Sequence, residues 1–124
     1  MAITGFNPFD SRFTDIVYSQ TDAKASGDAS ISGTTKITLY SLKMATADAG
    51  QNFFKMYDVK VPSASLGPDI VIPVAGSGVR APMTVNITGG ITFSNAISVR
   101  VCENAAVADA TDPSHTITYL ATIS

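Results

Sequence analysis

Several groups of residues in this 124-residue chain have types and spacings that invite chemistry. Asp112, Ser114 and His115 crowd together like the members of a Ser-His-Asp arrangement. Such triads are assembled from separated segments, and adjacent residues on a strand point to opposite faces. The crowding therefore predicts a histidine at a strand start, not a general base. Asp109 and Asp112, with Glu103 nearby, carry hard oxygen atoms suited to calcium, but their spacing fits no calcium-loop pattern and the segment lacks a glycine pivot. A solvated loop is expected there. Gly76-Ser77-Gly78 begins like a phosphate-binding glycine run, yet no third glycine follows and Pro82 comes soon after, so a plain turn is expected. Asn86-Ile87-Thr88 fits the glycosylation acceptor pattern, which has no meaning in a chain that is not secreted. Cys102 lies in an alternating pattern and reads as a small buried hydrophobe with a free thiol, as in a reducing compartment. One His and one Cys make neither an ordinary zinc site nor a disulfide framework. The expectation is a protein that is not an enzyme and has no catalytic residues, metal or cofactor.

The elements that would position these residues are strands. The chain has eleven Ile and ten Val against four Leu, and fourteen Thr and thirteen Ser against a single Glu. Side chains branched at Cβ suit a pleated, half-buried strand and lose rotamer freedom in a helix. Strands are predicted over 13–19, 34–44, 53–61, 69–75, 83–88, 91–101 and 116–123, with loops over 20–30 and 103–113. The face switch near Leu39 and Tyr40 predicts a bulge or a strand covered on both sides. Pro73 places its strand at a sheet edge or makes it a strand end. Gly89-Gly90 predicts a two-residue hairpin turn. In 91–101 the apolar face is Ile91, Phe93, Ile97, Val99 and Val101, and Asn95 interrupts it, marking a bulge or capping a turn there. In 53–61 the odd positions, from Phe53 to Val61, form the mainly apolar face. The predicted core is Ile87, Ile91, Phe93, Ile97, Val99, Ile117 and Tyr119. The fold class is all-β: an antiparallel β-sandwich, jelly-roll-like, with an extended N-terminal arm over 1–12 and one sandwich domain over 13–124.

Charge and hydropathy narrow the partners. A formal net charge of −2 with eight scattered Lys and Arg gives no basic stripe for nucleic acid. No apolar run approaches the roughly 20 residues of a membrane-spanning helix, and the N-terminus has no basic region followed by an apolar one. The expectation is a chain made in the cytoplasm, with no membrane partner. Within the arm, Ile3, Phe6 and Phe9 follow neither strand nor helix period. Large apolar side chains on such an arm either cap their own sandwich or lie on a neighbour.

Residues 52 to 121 carry FFKMYDVK, a Pro-bounded apolar strand DIVIPVA, a glycine-led GGITFSNAISVRVCENAAVADATDP and a final ITYLAT. In this pattern the chain resembles small virion structural proteins of tailed bacteriophages. Its matching positions are Lys55, Tyr57, Asp58, Pro73, Gly90, Phe93, Ser94, Asn95, Ala105, Ala106, Asp109 and Tyr119. The resemblance implies a β-sandwich, often a jelly roll, that decorates or cements the exterior of a capsid. Its partners would be the major capsid protein and, in a homotrimer at three-fold positions, copies of itself. The arm would then be the partner-binding element, with Ile3, Phe6 and Phe9 as its anchors. Other readings are a tail, baseplate or fibre-associated sandwich and a small glycan-binding sandwich. The glycan reading is weakened by the absence of Trp.

Overall fold

The computed structural model describes residues 16–31, 38–46, 50–74, 81–114 and 116–123. It is all-β, with no helix among these residues. The strands are β1 (Ile16–Gln20), β2 (Thr38–Thr46), β3 (Asn52–Tyr57), β4 (Ile70–Val74), β5 (Ala81–Thr92), β6 (Ser98–Cys102) and β7 (Ile117–Ile123). Two antiparallel sheets pack face to face, one ordered β1-β7-β2-β5 and the other β4-β3-β6. The N-terminal arm, with Ile3, Phe6 and Phe9, and the Gly76-Ser77-Gly78 turn lie outside the described residues.

Alternation explains most of the core. In β7 the inward positions Ile117, Tyr119, Ala121 and Ile123 are all buried, as the period-2 pattern predicts. Leu39, Leu42 and Met44 of β2 join them from the same sheet, and Phe54, Met56, Val99 and Val101 close the core from the other. Each such side chain, fully buried, contributes about 1.5–3 kcal/mol by the hydrophobic effect. The Phe54 ring meets that of Tyr119 edge to face at 4.9 Å, joining β3 to β7 across the interior.

The bulge expected near Tyr40 is present. Register shifts between Leu39 and Ser41 against both β5 and β7, so the two ends of β2 present different faces inward. Pro73 does lie in an edge strand, β4.

Other expectations are corrected. Gly89-Gly90 makes no hairpin turn: β5 runs through it from Ala81 to Thr92. Both glycines have positive φ, and they sit where β5 carries extra residues against the β2 bulge. A Cβ on Gly90 would lie 2.5 Å from the Thr38 methyl carbon, so the bulge closes only around glycine. The long strand expected over 91–101 is two strands in different sheets. Ile91 and Thr92 end β5, whereas β6 begins at Ser98. Ile91 is consequently exposed and Ile87 only half-buried, while Phe93, Ile97, Val99, Ile117 and Tyr119 are buried as expected.

In β3 the faces are reversed. Phe54 and Met56 point into the core, and Val61 is exposed because the strand ends at Tyr57. The odd positions Lys55 and Tyr57 are buried as well, beneath loops on the outer side of the sheet. Ala45 and Thr46 carry β2 beyond the end expected at residue 44.

Candidate functional site

The outer face of the three-stranded sheet holds the chain's most unusual chemistry. Lys55 of β3 and Arg100 of β6 are register partners, both buried, so two cations stand side by side away from water. Burying a charge is costly unless it is well hydrogen-bonded. Arg100 spreads its donors over three acceptors. Nε donates to the Ala25 carbonyl at 2.7 Å, Nη1 to the Tyr57 hydroxyl at 3.1 Å and Nη2 to the Asp109 carbonyl. Lys55 Nζ donates to the Ala106 carbonyl at 2.7 Å. Among the described residues the one ion pair is the exposed Lys24–Asp22 contact, so main-chain dipoles provide most of the solvation of these cations. The carbonyl acceptors come from the segments 21–31 and 103–113, and the hydroxyl from β3 itself. The two cations therefore draw both loops down onto the sheet.

Both loops were expected to be open, and both are fastened. Asp28 forms an antiparallel bridge with Val99, Val101 N–H donates to the Lys24 carbonyl and Ile31 N–H to that of Ile97. The free edge of β6 is thus covered by main chain, with Gly27 so close that a Cβ there would meet the Val99 carbonyl at 2.6 Å. Asp28 also accepts from the Tyr119 hydroxyl and the Gln20 amide, each at 2.7 Å. Burial, reinforced by that carboxylate, pushes the Tyr119 hydroxyl far above its ordinary range.

The residues considered as calcium ligands serve the loops. Asp112 accepts the Ala25 N–H at 2.8 Å, and Asp109 accepts from the Asn104 and Thr111 N–H groups. Burial pushes the Asp109 carboxyl up, but its donors outweigh that and hold it below the usual range. His115 lies outside the described residues, and the Asp112 carboxylate is engaged by the Ala25 N–H. Cys102 is buried, as expected. Burial raises its thiol more than the nearby Arg100 and Lys55 lower it. An open groove of about 410 Å³ runs beside Ser26, Ser63, Arg100 and Asp112, and both of its charged groups are engaged in holding the loops.

Asp58 builds the corner where the chain changes sheets. Its carboxylate accepts the main-chain N–H groups of Asn95 at 2.7 Å, Ser94 at 3.0 Å and Ala96 at 3.3 Å. The Asn95 donor, with those of Ser94 and Ala96, holds the Asp58 carboxyl below its usual range despite an opposing desolvation effect. A depressed native value stabilises the fold above the unfolded value and is lost as pH falls through the native one. Acidification below about pH 4 therefore loosens the corner. In an acid melting series, Asp58→Asn should start less stable and lose part of the pH dependence; curves parallel to the wild type would remove Asp58 from the account.

The four-stranded sheet presents a different surface. Its four strands contain a single charged residue, Lys43, among outward Ser41, Thr84, Asn86, Thr88 and the exposed Leu120. This broad neutral face is the candidate contact surface among the described residues. Comparison with protein families, with curated proteins and with solved structures finds no match.

Several of the residues matched in the pattern over 52–121 make structural bonds: Lys55 donates to the Ala106 carbonyl, Asp58 accepts from Ser94 and Asn95, Tyr57 and Asp109 both accept from Arg100, and Tyr119 donates to Asp28. Arg100 and Asp28 were missed because a lone cation in an alternating strand reads as outward, and an aspartate in a polar segment reads as solvated.

Proposed function

We propose that this chain is a bacteriophage capsid decoration protein, which binds the exterior of the major capsid protein lattice and stabilises it, as a homotrimer at three-fold positions. It is made in the host cytoplasm, uses no cofactor and performs no catalysis. The observation that carries the proposal is that several residues of the resemblance have structural work in this sandwich: Lys55, Tyr57, Ala106 and Asp109 take part in holding the 103–113 loop on the sheet, and Asp58, Ser94 and Asn95 in building the corner between the sheets.

The topology supports a jelly-roll reading. With the segment 24–31 counted beside β6, the second sheet has four positions facing the four of the first, the eight positions of a double-sheet jelly roll. The neutral outer face supports attachment by shape and apolar contact instead of charge. Rigid sandwiches with neutral flanks and an apolar arm suit cementing, which needs complementarity to a lattice and no reaction centre. The arm residues Ile3, Phe6 and Phe9 would dock onto neighbouring coat subunits, and several arms per assembly would act together through effective concentration.

The copy number of the chain in purified virions tests this. Decoration predicts hundreds of copies, in fixed proportion to the major capsid protein; a handful per particle would assign the chain to the tail or baseplate.

A further inference from the structure

Three segments meet beside Arg100 on the outer side of β6: the cover 24–31, the β3–β4 connection and the loop 103–113. Between them lies the open groove of about 410 Å³, which falls in the size range of small-molecule sites. Ser26, Pro62, Ser63, Ala64, Arg100 and Asp112 line it.

The polar groups of the groove are only partly used by the fold. Arg100 is buried, and of its five N–H donors three are bonded among the described residues. Asp112 gives one carboxylate oxygen, Oδ1, to the Ala25 N–H at 2.8 Å and keeps the other. Ser26 is exposed, and its hydroxyl makes no hydrogen bond among the described residues.

This lining disfavours most classes of ligand. An anion drawn to Arg100 meets the Asp112 carboxylate, and a cation drawn to Asp112 meets Arg100 with Lys55 as its register partner. An extended peptide has no strand to join, because the β6 edge is already paired with the main chain of 24–31. The apolar part of the lining is alanine and proline, with no aromatic or branched side chain to grip a large hydrophobic group. Hydroxyl groups fit, since each both donates and accepts and so can face a guanidinium on one side and a carboxylate on the other.

We propose that the groove binds a neutral saccharide, whose adjacent hydroxyls engage the free Asp112 oxygen, the Ser26 hydroxyl and the remaining Arg100 N–H groups. Hydrogen bonds carry the recognition, because no aromatic ring lines the groove for a sugar to stack on. Affinity is therefore modest, with a dissociation constant on the order of 1 mM for a single sugar unit. This site lies apart from the neutral sheet face and stands independently of capsid decoration.

The test is titration of the isotope-labelled full chain, followed by amide NMR shifts. The probes are glucose, galactose, mannose and N-acetylglucosamine, the disaccharides maltose and cellobiose, and inorganic phosphate as the anionic probe. The proposal expects saturable shifts at residues 25–26, 63–64 and 110–112 with at least one sugar, and none with phosphate. A disaccharide that binds more tightly than its monosaccharide identifies a longer glycan as the source, whereas equal affinity identifies a free sugar.

Two variants place the site. Asp112→Asn keeps an oxygen for the Ala25 N–H but loses the charge, and Ala110→Leu narrows the groove. Each should weaken binding about tenfold with an unchanged circular dichroism spectrum. If Asp112→Asn loses its fold, Ala110→Leu decides. The absence of a saturable shift with any of these sugars up to about 100 mM overturns the proposal. So do shifts from phosphate alone, or sugar binding that the variants leave intact.

Discussion

Replacing Arg100 by alanine is expected to lower the unfolding free energy by roughly 3–5 kcal/mol, and to release both loops from the sheet. The variant bares the Ala25 carbonyl, leaves that of Asp109 with only the Cys102 thiol at 3.5 Å, and leaves the Tyr57 hydroxyl without its donor. Each buried polar group left without a partner costs about 1–3 kcal/mol, and the emptied volume adds to that. Arg100→Lys should recover only part of the loss, because one ammonium cannot reproduce a planar fork that reaches three acceptors. Lys55→Met should cost less, about 1–2 kcal/mol, since it bares one carbonyl while removing a buried charge. Urea unfolding gives the energies, and limited proteolysis reads the loops. Cleavage within 21–31 or 103–113 should accelerate in Arg100→Ala before global unfolding does. A loss below about 1 kcal/mol would mean that water solvates the bared carbonyls and that the guanidinium is not what holds the loops.

Truncating Phe54 to alanine should cost roughly 3–5 kcal/mol, the usual range for a fully buried aromatic ring. The ring lies in the centre of the core and makes the edge-to-face contact with Tyr119 that joins the two sheets. Its removal leaves a cavity that the surrounding strands, each fixed by hydrogen-bonded neighbours, can collapse only in part. Phe93→Ala acts at the corner between the sheets and should cost a comparable amount. Calorimetric unfolding checks both. A Phe54 variant within about 1 kcal/mol of the wild type would contradict the packing described.

How much of this was legible beforehand depended on whether local pattern and tertiary environment agreed. β7 was readable because one face of it meets the core and the other meets water, the condition under which alternation is informative. The β2 bulge was readable for the same reason: a change of inward parity at Tyr40 requires an extra residue. In β3 and β6 both faces are covered, so burial no longer separates apolar from polar positions. Nothing in the spacing of Lys55 or Arg100 announces that loops from distant sequence will supply their acceptors. The break at 93–97 was marked only by Asn95 in the apolar face, because the residue that holds it, Asp58, lies 36 to 38 positions away from the N–H groups it accepts from. The Gly-Gly pair correctly signalled positive φ, but a wide bulge meets that requirement as well as a turn does. The arm residues Ile3, Phe6 and Phe9, proposed to bind the partner, fall outside the described residues, and the proposal for them rests on their apolar character and irregular spacing.

Capsid attachment is tested most directly by adding the purified chain to shells of its proposed partner, the major capsid protein, and measuring bound copies per shell. The decoration account predicts saturable binding at hundreds of copies, retained in high salt because the neutral face and apolar arm make little use of screened charge. It also predicts much lower occupancy for a chain lacking residues 1–10. Failure of the full-length chain to bind intact shells at any salt concentration would contradict it.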